Sequence, residues 1–103
     1  MGFITIYITN ETEESAKAVS RQLLESRLIA CANIYPIKSL YWWDDVIQEE
    51  FEWVALVKTS KEQWEAVKAK IEEIHPYDVP CILKMDVAAN EAYEKWIKKE
   101  VLL

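Results

Sequence analysis

Residues 28–58 read LIACANIYPIKSLYWWDDVIQEEFEWVALVK. The first half, 28–43, is rich in β-branched and aromatic residues, which predicts a strand. Pro36 cannot donate to a sheet ladder, so this strand is expected to be interrupted there and to lie at a sheet edge or to bulge. Asp44-Asp45 marks a two-residue hairpin turn, although Asp-Gly is the pair such a turn prefers. The return strand, 46–58, changes character halfway. Gln48, Glu50 and Glu52 alternate with Ile47, Glu49, Phe51 and Trp53, so its outer half is expected to be partly exposed. Residues 53–57 are apolar on both faces, so its inner half is expected to be sandwiched.

The flanking segments complete a pattern. Residues 3–9 alternate Ile4, Ile6 and Ile8 with Thr5, Tyr7 and Thr9, which is strand chemistry. Asn10 or Thr12 can cap the helix that follows, with Glu13 and Glu14 in its first turn. Ala16, Val19, Leu23 and Leu24 recur at helical spacing, and this helix is expected to end near Arg27. After the hairpin, Ser60 and Gln63 form a capping-box pattern. Trp64, Val67, Ile71 and Ile74 mark a second helix, which His75-Pro76 should end. Residues 79–87 are the fourth strand, and Asn90 is placed to cap a last helix carrying Tyr93, Trp96 and Ile97. The order is βαββαβ plus a C-terminal helix. That is a ferredoxin-like split β-α-β sandwich of the α+β class, with an antiparallel sheet. Right-handed crossovers put strands one and three in the centre and strands two and four at the edges. The 103 residues form a single domain, 1–103.

Composition excludes several functions. The formal net charge is -6, against non-specific nucleic-acid binding and anionic membrane surfaces, which both need a basic face. A single glycine, Gly2, rules out a dinucleotide fingerprint, a P-loop and a nucleophile elbow. A single histidine, His75, rules out a two-histidine zinc site within one chain. Cys31 and Cys81 form neither a CxxC pair nor a disulfide framework, and the N-terminal residues lack the basic region of a signal peptide. The expected compartment is the cytoplasm, with reduced thiols. No apolar run reaches the length of a membrane span; the longest uncharged one is Leu28 to Ile37.

Two features exceed what the fold needs. Five Trp and five Tyr are more than a one-sheet core can bury, and Tyr41, Trp42 and Trp43 must point to both faces of a strand. A subunit interface accounts for them better than hairpin packing alone, because both edge strands also need covering. The second is His75-Pro76-Tyr77-Asp78-Val79-Pro80-Cys81, a turn stiffened by two prolines. A lone histidine at a helix end is most often structural, and a ligand or base role is the minority reading. Asp78 is its nearest titratable neighbour in the chain. Cys31 sits between Ala30 and Ala32, where a thiol usually just packs. Lys58, at the end of the central strand, is either a solvated lysine or an anion contact.

These residues bring out a resemblance. Arg27-Leu28-Ile29-Ala30-Cys31-Ala32-Asn33, Ser39-Leu40-Tyr41-Trp42-Trp43, Lys58-Thr59, His75-Pro76-Tyr77-Asp78-Val79-Pro80 and Tyr93-Glu94-Lys95-Trp96 stand in order, and the chain resembles the CutA divalent-cation-tolerance family nearly end to end. The resemblance implies a ferredoxin-like subunit in a tight homotrimer like the PII-type signalling trimers, with edge strands pairing between neighbours. It also implies a role in tolerance of, or response to, metals such as copper, and no enzymatic reaction. Four departures stand out. Where family members commonly carry Trp-Glu-Gly-Lys, this chain has Trp43-Asp44-Asp45-Val46, which puts Asp45 where φ is expected to be positive. Many members have Glu where Cys81 stands. Some have a cysteine where Ile8 stands and a second histidine where Ile74 stands.

The expected ligand pocket is inter-subunit, lined by Trp43, Lys58, His75 and Tyr77. The candidate metal ligands are His75, Cys31 and Cys81. Cys31 of one chain would approach Cys81 or His75 of another, a set suited to Cu(I) or Zn, with no cofactor obligatory. Three other readings remain open. One is a small enzyme with His75 as base and Asp78 orienting it. Another is an RNA-binding module using sheet aromatics, disfavoured by the charge. The last is a PII-like small-molecule sensor or scaffold trimer with no direct metal role.

Overall fold

The computed structural model describes residues 2–101. Four strands, β1 (Phe3–Asn10), β2 (Cys31–Trp43), β3 (Val46–Thr59) and β4 (Ile82–Val87), form one sheet in the order β2-β3-β1-β4. All three pairings are antiparallel. Helices α1 (Glu13–Glu25), α2 (Trp64–Ile74) and α3 (Glu91–Glu100) complete the expected order. Strands one and three are central and strands two and four are edges, as right-handed crossovers require.

Alternation along the strands sorts the two sheet faces. Ile4, Ile6 and Ile8 point to one face, opposite Thr59, Val57 and Ala55 of β3. Against them pack Ala16, Val19 and Leu23 of α1 and Val67 and Ile71 of α2, all buried. The three Ile side chains have zero exposure, and truncating any of them to Ala would cost about 2–5 kcal/mol. The other face carries Tyr7 and Thr9 of β1, Glu50 and Glu52 of β3, and Ile37, Ser39 and Tyr41 of β2.

Local chemistry sets the boundaries. The Thr12 side chain accepts the Ser15 N–H at 3.0 Å and caps α1. The helix closes at Glu25, two residues before Arg27. Arg27 adopts φ 58, and Leu28 N–H returns to the Leu23 carbonyl, a six-to-one closure usually reserved for glycine. The turn through Leu28–Ala30 delays β2 to Cys31. Pro36 does not interrupt β2, because its missing N–H faces the open edge and its pairing partner is Trp53 on the other side. The Ser60 side chain makes no capping bond, and Lys61–Gln63 form a single 3₁₀ turn before α2, so the capping box is not formed. The prolines hold residues 79–81 out of β4, which starts at Ile82.

Helix α3 is secured by an unexpected residue. Asn90 makes no side-chain cap. Instead the buried Glu94 carboxylate accepts the Ala89 and Gly2 N–H groups, each at 2.8 Å. Gly2 sits at φ 98, and a Cβ there would meet the Val87 carbonyl at 2.9 Å, so only glycine fits. The Ala89 and Gly2 amides hold the Glu94 carboxyl below the usual glutamate range. Its contribution to stability is therefore complete above the ordinary glutamate pKa and lost as pH falls through its lowered native value. Glu94→Gln should flatten that acid limb of the stability curve, measured by urea unfolding at stepped pH.

At the hairpin tip Asp44 and Asp45 both occupy the left-handed region, φ 50 and 61. A two-residue turn with this double positive φ matches the strand twist, and Asp tolerates it at a cost glycine avoids. Asp45→Gly is expected to stabilise the protein by about 1 kcal/mol in denaturant unfolding.

Candidate functional site

A groove of about 880 Å³ opens on the face away from α1 and α2. The middle of the hairpin forms one side, with Ile37, Ser39, Tyr41, Trp43, Gln48 and Glu50. Glu52, Tyr7, Thr9 and Glu11 form its floor and end, and the proline-stiffened segment closes it with Tyr77, Asp78, Val79 and Cys81.

Glu52 is the unusual residue here. Hairpin alternation reads it as part of an exposed outer half, yet it is only 7% exposed. Tyr77 Oη donates to its Oε2 at 2.8 Å. One position outward on the same face, Tyr41 Oη donates to Glu50 Oε2 at 2.9 Å. Burial, followed by the Glu52 hydrogen bond and charge, pushes the Tyr77 phenol well above the ordinary tyrosine range. Tyr77 therefore remains a donor under any physiological condition. Burial and the Glu52 charge likewise push the Cys81 thiol up, which disfavours thiolate.

His75 holds this segment in place. Its Nε2 lies 2.9 Å from the Thr9 carbonyl, to which it donates, and its Nδ1 accepts the Tyr77 N–H at 3.1 Å. Both ring nitrogens are committed, the side chain is buried, and its ring stands edge-to-face on Tyr77 at 4.7 Å. His75 is thus built into the wall that positions Tyr77.

Lys58 and Cys31 stand elsewhere. Lys58 Nζ lies 3.3 Å from Tyr93 Oη, and Cys31 Sγ lies 3.5 Å from the same oxygen, under α3. The hairpin ladder runs from Cys31–Lys58 to Trp43–Val46. At about 3.4 Å per step this separates Lys58 from Trp43 by roughly 40 Å within one chain. Cys31 and Cys81 flank opposite edges of the sheet, and neither is disulfide-bonded. Among the described residues no three His, Cys, Asp or Glu side chains converge as a metal site.

Of the expected pocket residues, one protomer therefore joins Trp43 and Tyr77 in the groove, keeps His75 behind Tyr77, and holds Lys58 apart. Of the expected metal ligands, it holds Cys31 apart from His75 and Cys81. Sequence reasoning missed Tyr7, Tyr41, Glu50 and Glu52 as groove residues. Their shared face is legible only once the β1–β3 and β2–β3 registers are known.

The architecture defines the class: a ferredoxin-like α+β domain with a projecting hairpin and an aromatic, acid-lined groove on its open sheet face. Comparison with known proteins resolves the class to one family. A family profile described as CutA1 divalent ion tolerance protein matches residues 4–100. The divalent-cation tolerance protein CutA of Pyrococcus horikoshii is 46% identical over 98 residues, covering 94% of this chain and 96% of the relative. That of Thermotoga maritima is 40% identical, covering 96% of this chain and 99% of the relative. The crystal structure of CutA1 from Pyrococcus horikoshii superposes with a TM-score of 0.94 at 44% identity, covering 97% of this chain and 99% of that one. The chain belongs to the CutA1 divalent ion tolerance family.

Tyr77→Phe removes the donor to Glu52 and should cost about 1–3 kcal/mol, the penalty for a buried acceptor left short of a partner. The native tyrosine holds its proton past the ordinary tyrosine value of 10.0, whereas the unfolded one does not. Its contribution is full below that pH and declines as pH rises toward the native value. Chemical unfolding at stepped alkaline pH should show a shallower decline in the variant.

Proposed function

We propose that the protein acts in divalent-cation tolerance of the copper type, as a cytoplasmic homotrimer that binds metal or a small molecule at its subunit interfaces. The observation that carries the trimer is one face of the hairpin arm. Leu40, Trp42, Ile47 and Phe51 share that face by alternation and are 60–71% exposed. A row of large apolar side chains this open on a paired, well-formed ladder fits burial against further copies of the chain. The open edge of β2, thirteen residues long, adds main-chain groups in need of partners.

The tolerance role is supported by family membership and by the printed descriptions of the relatives. The cytoplasmic assignment is supported by two free thiols, which suit a reducing compartment. Relatives include a chloroplastic protein from Oryza sativa, and an Archaeoglobus fulgidus structure is described as periplasmic, so compartments vary within the family. No helix among the described residues is long and apolar enough to cross a membrane.

The commitment of both His75 nitrogens narrows the reading. A histidine tied at both ends serves poorly as a base, so the proposed role is non-catalytic. It also leaves Cys31 and Cys81, from different copies, as the pair best suited to a soft metal such as Cu(I), with Zn as the borderline case. The second reading is a PII-like small-molecule sensor or a scaffold trimer without direct metal binding, favoured by the groove.

Native mass spectrometry of the thiol-reduced protein tests both. A trimer taking up a whole number of Cu(I) ions, with uptake lost in Cys31→Ser/Cys81→Ser, is the expected result. A trimer showing only graded, salt-sensitive metal adducts would leave the sensor reading, and a monomer would remove the basis for both.

A further inference from the structure

We draw no further inference here: the strongest candidate, the side-chain cluster under α3 at the inner end of the sheet, where Lys58 Nζ and Cys31 Sγ lie 3.3 and 3.5 Å from Tyr93 Oη, belongs to the subunit-interface site already described.

Discussion

Pairing of β2 with β3 is the constraint on which the rest of the structure depends. The ladder runs unbroken from Cys31–Lys58 to Trp43–Val46. Because side chains alternate strictly, this one register decides which residues face the helices, which line the groove and which lie bare on the arm. A slip by one residue would send Glu52 toward the helix-covered core and Trp53 into the groove. The register is held at the inner end, where Ala55 and Val57 must meet Ile8 and Ile6 in a closed core. It is held at the tip by a turn of only two residues. Between these anchors the arm needs no core of its own.

The same alternation explains how a polar site forms beside a hydrophobic sheet. On the open face, β1 offers Tyr7 and Thr9 while β3 offers Glu50 and Glu52. The His75–Cys81 segment then folds over this face because His75 bridges the Thr9 carbonyl and the Tyr77 amide. Two prolines limit what that segment can do, so the Tyr77 hydroxyl arrives at Glu52 with little loss of freedom. Rigidity in the backbone is thus converted into placement of a phenol against a carboxylate.

Much of this was legible in the chain. Period-two and period-3.6 patterns placed all four strands and three helices, and crossover handedness placed β1 and β3 in the centre. The reading went astray where local and distant partners compete. Ser60 and Gln63 have capping-box spacing, but the chain passes through a 3₁₀ turn and the cap is not made. Asn90 stands where a cap belongs, while Glu94, four residues on, does the work by reaching the amide of Gly2. Glu52 reads as solvated because its neighbours Glu49 and Glu50 are, and only the Tyr77 contact reveals otherwise. Trp43, Lys58, His75 and Tyr77 were singled out as chemistry-bearing, but spacing in a chain does not report that Lys58 and Trp43 sit at opposite ends of one ladder.

The central position of β1 carries a consequence for biosynthesis. Its partners are residues 53–59 on one side and 82–87 on the other. A strand that precedes both of its partners therefore cannot be closed on both edges until residue 87 has left the ribosome. The bond from Gly2 to Glu94 extends this dependence into α3. During elongation Ile4, Ile6 and Ile8 can be shielded only by the amphipathic α1 that follows them, while the hairpin zips from its own tip. Completion of the sheet is consequently a late event that waits for residues 82–94. The strand most exposed to aggregation while it waits is the one that later becomes the most deeply buried.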